Sequence, residues 1–174
     1  MENKANTPEE ILDLVDENDV VIGQVPKSQA HQNPKLLHRE IAVLIYDGLG
    51  RILFQKRNKQ KRVFPGYWTV SCVGHVPSKM DPEDAARKEM MEELGLAVPI
   101  RFVEKVPHNG MSEASFIYRY LGEYQGGEII IDPYEVEVTK FLTQKELTIL
   151  LGHGYKITSL SENFVTRFWA GEFD

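Results

Sequence analysis

Cysteine is nearly absent: Cys72 is the single thiol in 174 residues. One cysteine excludes an internal disulfide framework and a cysteine-based zinc site, and it fits a reducing compartment. Long apolar runs are missing as well. None approaches the roughly 20 residues needed to cross a bilayer, and the polar start MENKANTPEE has no secretory apolar stretch. The expectation is a cytoplasmic protein without a membrane partner. Basic residues are outnumbered, 20 Lys and Arg against 26 Asp and Glu, for a formal net charge of −6. That balance argues against a nucleic-acid polymer as ligand and leaves a small anion as the expected partner. No internal repeat or low-complexity linker interrupts the chain. With 42% hydrophobic residues it can bury one sizeable core. Residues 1–10 are expected to form a flexible arm and residues 11–174 a single domain.

The alternation of apolar and polar residues predicts a short hairpin from ILDLVD and VVIGQVP around Glu17, Asn18 and Asp19. A polar stretch, Lys27 to Pro34, follows. LLHREIAVLIYD and RILFQKR then predict an antiparallel pair joined at Asp47-Gly48, and WTVSCVGHV is rich in strand formers. Further strands are expected near 99–106, 115–123 and 134–141. Helices are expected over 82–94, near 143–151 with a Thr143/Glu146 capping box, and near 160–170. Such a mixture implies helices layered on a central sheet, an α/β fold.

Glu89, Glu92 and Glu93 fall at i, i+3 and i+4 ahead of Gly95. Like charges at these spacings weaken a helix, so the cluster invites a cation. Oxygen donors without sulfur favour magnesium or manganese, and magnesium commonly shares its coordination with substrate phosphates. Asp81 as N-cap, Pro82 at the first helical position and Gly95 at the stop mark the helix, and Ala86, Met90 and Leu94 form its apolar stripe.

The run from Gly74 to Leu96, GHVPSKMDPEDAARKEMMEELGL, resembles the Nudix box. In that pattern a Gly is followed by five residues, a Glu, seven residues, Arg-Glu, an aliphatic residue, any residue, Glu-Glu, any residue, Gly and an aliphatic residue. Gly74, Glu89, Met90, Glu92, Glu93, Gly95 and Leu96 keep the register. Met80 stands where the family has its first Glu and Lys88 where it has Arg, a pair that the resemblance implies braces the loop against the helix. The resemblance implies a Nudix α/β/α sandwich with a central mixed sheet. It further implies one or more Mg²⁺ or Mn²⁺ ions held by Gly74, Glu89, Glu92 and Glu93.

A second resemblance covers most of the chain, to the isopentenyl-diphosphate isomerases that share the Nudix fold. His31, His38 and His75 fall where those enzymes bind a metal with two glutamates. Glu113 occupies one glutamate position and Met111 the other. The isomerase thiol would lie at Val73, one residue from Cys72. A one-residue shift along a strand reverses the facing of a side chain. Glu89 stands where bacterial isomerases carry a basic residue. Lys27, Arg57 and Lys61 match cations that those enzymes present to diphosphate. The expected activity is therefore hydrolysis of a diphosphate linkage in a nucleoside diphosphate derivative or similar small organic diphosphate. Glu89, Glu113 or Glu135 would be the proton acceptor. The rivals are an isopentenyl-diphosphate isomerase and a nucleotide- or diphosphate-binding module without turnover. The oligomeric state is left open, a homodimer included.

Overall fold

The computed structural model describes residues 8–110 and 113–173. Most of the expected arm, residues 1–7, and Met111 therefore lie outside the described residues. The chain opens with a hairpin of β1 (Ile11–Val15) and β2 (Val21–Pro26), a separate two-stranded sheet. Its turn is held by Asp16, whose Oδ1 accepts from Asn18 N and Val20 N, both at 2.9 Å. The polar stretch that follows contains one element not expected from sequence, the single helical turn α1 (Lys27–Ala30). Four residues carry too little periodicity to betray a helix.

The main sheet contains β3 (His38–Tyr46), β4 (Ile52–Arg57), β5 (Trp68–Thr69), β6 (Cys72–His75), β7 (Ile100–Asn109), β8 (Ala114–Glu123) and β9 (Val136–Leu142). Its path runs β5-β4-β3-β8-β7, with β6 pairing β3 and β9 pairing β4. β3 and β8 run parallel and the other pairs antiparallel, so the sheet is mixed.

Alternation along β3 divides the core. Ile41, Val43 and Ile45 pack with Ala85, Ala86, Met90 and Leu94 of α2 (Pro82–Leu94). Ala42 and Leu44 face the other way, where Leu147 of α3 (Gln144–Gly152) and Phe164 and Val165 of α4 (Ser159–Trp169) cover the sheet. The result is the expected α/β/α sandwich. α2 begins as its sequence signals require: Asp81 accepts from Glu83 N, Pro82 follows, and Gly95 closes the helix at φ 63°. The Thr143/Glu146 capping box of α3 is also formed. No helix among the described residues is long and apolar enough to cross a membrane.

Candidate functional site

Neighbouring residues of β6 point to opposite sides of the sheet, because side chains alternate across a strand. Cys72 is buried in the core beneath α2. Gly74 shares that face, and a Cβ there would stand 2.7 Å from Cδ of Glu89. Only glycine lets the Glu89 carboxylate lie this close to the strand. Val73 packs on the α3–α4 side. His75 also leaves the α2 face and joins His31 and His38, with ring centroids 4.7 and 5.4 Å away. One strand serves two clusters.

On the α2 face, Gln55 donates to Glu93 at 2.8 Å, and both residues are buried. Burial, opposed by Gln55 and reinforced by the charge of Glu135, pushes the Glu93 carboxyl up to about 7. Burial and then the charge of Glu93 push Glu89 to about 7 as well. Two neighbouring carboxylates, Glu93 buried and Glu89 half-buried, that repel each other suit a hard divalent ion, and the donor set is all oxygen. Glu92 behaves differently: its side chain is 57% exposed and takes Lys88 Nζ at 2.7 Å. The i, i+3, i+4 spacing sets the three carboxylates close together along α2, but their surroundings divide them. Seating α2 through Ala86, Met90 and Leu94 turns Glu89 and Glu93 inward and leaves Glu92 at the solvent margin. The Cys72 thiol is pushed well up from its ordinary value by burial and then by the charges of Glu93 and Glu89. It is a buried, unreactive neighbour of the carboxylates.

The expected phosphate cations do not gather in one place. Arg57 and Glu135 act on Glu93 through their charges, and Lys61 pairs with Glu135. Lys27 instead pairs with Glu10 at 2.8 Å, and its charge is felt by His31, His75 and Glu113. Two cations thus flank the carboxylates and one stands with the histidines. The expected acceptors divide the same way, since Glu89 and Glu135 lie by the carboxylates and Glu113 by the histidines.

On the histidine side, one ligand atom from each of His31, His38, His75 and Glu113 lies within 4.8 Å of the others. His31 and His75 face each other Nε2 to Nε2 at 2.7 Å, and His31 lies 3.2 Å from Glu113. His38 Nε2 stands 3.5 Å from Glu40 Oε1, so the buried carboxylate of Glu40 backs the cluster. Burial lowers His75 well below its ordinary value and lowers His31. These rings are held in the neutral form that ligates metals. Burial also opposes the charged form of His38, but the Glu40 carboxylate outweighs it and raises that ring. Four converging ligand atoms, two of them on imidazoles held neutral, together fit a cation. Three nitrogens and one oxygen suit a zinc-like ion better than magnesium.

Sequence reasoning missed Gln55 and Glu40. Gln55 lies on a strand read only for its apolar pattern. Glu40 lies two residues after His38, a strand spacing that places both on one face. The missing loop-to-helix pair has a visible replacement in part. Met80 packs as an apolar residue against the core beneath α2, and Lys88 is held by Glu92 at 2.7 Å with Glu89 at 3.8 Å.

A mixed-sheet α/β/α sandwich whose helix α2, following a glycine loop, turns Glu89 and Glu93 inward presents an oxygen donor set suited to a divalent ion. The chain belongs to the NUDIX domain family, whose model matches residues 36–160, and within it to the isopentenyl-diphosphate isomerase-like branch. The isopentenyl-diphosphate Delta-isomerase of Streptomyces coelicolor is 38% identical over 145 residues, covering 79% of this chain and 73% of the relative. The human isopentenyl-diphosphate delta-isomerase 2 is 32% identical over 197 residues, covering 92% and 85%. Among solved structures, DR0079 from Deinococcus radiodurans superposes with a TM-score of 0.77 at 27% identity, covering 91% of this chain and 98% of that one.

Proposed function

We propose that this protein is a metal-dependent Nudix hydrolase that cleaves the diphosphate linkage of a nucleoside diphosphate derivative or similar small organic diphosphate. The observation that carries this reading is the facing of β6. Cys72 lies with the carboxylates in the α2 core, and Val73 packs on the side to which His75 also turns, so the histidine side has no thiol. A proton-shuttling thiol is what isomerisation would need there. Residues 11–174 act as one domain in this reading, because the hairpin and the end of α4 pack on the segment matched by the family model.

Glu89, Glu93 and the Gly74 carbonyl would hold Mg²⁺ or Mn²⁺, which supplies charge neutralisation at phosphate oxygens. Gln55 fixes the orientation of Glu93. Arg57 and Lys61, which flank the carboxylates, would offset the charge of the second phosphate. Water attacks phosphorus, forming one P–O bond as the bridging P–O bond breaks with its electron pair on the leaving phosphate. A carboxylate takes the proton from water. Glu89 or Glu135 would take that role, whereas Glu113 stands with the histidines.

The second reading, isopentenyl-diphosphate isomerase, is favoured by the named relatives and by the histidine–Glu113 cluster. A panel of nucleoside and prenyl diphosphates incubated with magnesium separates the two. Inorganic phosphate or a nucleoside monophosphate as product supports hydrolysis. Double-bond migration in isopentenyl diphosphate overturns it, and binding without product identifies a module without turnover.

A further inference from the structure

The loop between β6 and α2 carries the Gly74 carbonyl at one end and the start of the carboxylate helix at the other. In this chain the Glu and Arg expected to brace it are Met80 and Lys88. The hairpin grips the same loop at several points. Leu12 forms an antiparallel bridge with Pro77, and Ser78 N donates to Ile11 O at 2.8 Å. Asp13, only 8% exposed, receives both Ser78 Oγ at 2.7 Å and Lys79 N at 3.1 Å. Gln24 of β2 donates to the same Ser78 hydroxyl. Lys79 sits at φ 67°, a conformation that a lysine does not hold without outside support.

We infer that Asp13 is a positioning residue for the carboxylate site: from the amino-terminal hairpin it supplies, through Ser78 and the Lys79 amide, the loop brace that Met80 and Lys88 do not. The inference rests on the hydrolase reading only for its metal. The carboxylate of Asp13 works like the absent glutamate, as an anionic acceptor that fixes loop backbone. It differs in coming from a separate sheet, so the hairpin becomes part of the active-site scaffold and not an appendage to it. A loop held at an unfavourable φ sets where the Gly74 carbonyl stands relative to Glu89 and Glu93. Removing such outer partners of a metal site typically costs 10–100-fold in affinity.

The test compares Asp13→Ala, Asp13→Asn and Asp16→Ala in the full chain. Asp16 holds the hairpin turn without touching the loop, so its variant reports loss of hairpin stability alone. Magnesium affinity is read from the dependence of Tm on Mg²⁺, and loop order from amide hydrogen exchange of residues 76–81 in chelator. Asp13→Ala should weaken magnesium by about tenfold and speed exchange at 76–81. Asp13→Asn, which still offers an oxygen to the Lys79 N–H, should retain most of both. Asp16→Ala should lower Tm with neither effect. If Asp13→Ala does not fold, Ser78→Ala breaks the same contact from the loop side with the same expected direction. Unchanged exchange at 76–81 in Asp13→Ala, or equal effects from Asp16→Ala, would overturn the brace. A wild-type magnesium response that survives Glu93→Gln would instead overturn the metal assignment, and the exchange comparison would still judge the brace.

Discussion

Glu92 and Glu93 are adjacent, yet they meet different environments, and the difference sets their expected roles. Glu93 is buried and oriented by Gln55, whereas Glu92 is exposed and neutralised by Lys88. Glu93→Gln should lower kcat/KM by well over tenfold, more than about 1.4 kcal/mol of barrier, with the fold retained. Glu92→Gln should cost less, since Glu92 must leave Lys88 to reach an ion. Equal losses in magnesium-dependent turnover would show that Glu92 does swing inward. Glu89 adds a pH test. Its carboxyl is pushed from an ordinary 4.5 to about 7, first by burial and then by Glu93. A carboxyl with a raised folded value binds its proton more tightly when native, so its stabilisation is present below the unfolded value and lost as pH rises through about 7. In chelator, Glu89→Gln should therefore raise Tm relative to wild type at pH 8, with the advantage shrinking at pH 5. A variant-to-wild-type difference that does not change with pH would contradict the burial of this charge.

At the scale of elements, strand β6 decides more than any helix. Its alternation places Cys72 under α2 and Val73 on the other face, and thiol chemistry can test that directly. Cys72 in the wild type should resist a disulfide reagent until the protein unfolds, because burial and neighbouring carboxylates suppress the thiolate. Val73→Cys in a Cys72→Ser background should label faster in the folded state, since position 73 is only partly buried. Identical protection of both positions would mean that the strand does not present its two faces as described. This alternation was legible from sequence, as were the bounds of α2, whose cap, proline and terminal glycine are local signals. The capping box of α3 is equally local. What sequence did not reveal depends on contacts between segments distant along the chain. The inward turn of Glu89 and Glu93 away from Glu92 follows from how α2 seats on β3 and β6. The separation of Lys27 from Arg57 and Lys61 follows from the route of the hairpin and α1. The contact of Gln55 with Glu93 joins residues that no periodicity links.

Across the whole molecule, the histidine cluster ties together pieces that the chain visits far apart: His31 after α1, His38 on β3, His75 on β6 and Glu113 before β8. An ion bound there would oppose the separation of every one of these segments, so its effect should appear as global stability. A ligand that binds only the folded state at 100 times its Kd contributes about 2.7 kcal/mol. For a chain of this size that corresponds to a rise in Tm of roughly 5–10 °C. Zinc added to chelator-treated protein should produce such a shift, because the nitrogen-rich donor set favours it over magnesium. His31→Ala should remove most of the shift without the packing loss expected from the fully buried His38. Glu93→Gln should leave the zinc response intact, since that residue belongs to the α2 face. The response should also fade as pH falls and the imidazoles bind protons, first at His38, whose ring Glu40 raises, and later at His31 and His75, which burial lowers. Should His31→Ala respond to zinc as the wild type does, the cluster is a hydrogen-bonded set of rings and carboxylates and not a metal site. The hydrolase reading would then stand on the carboxylate face alone.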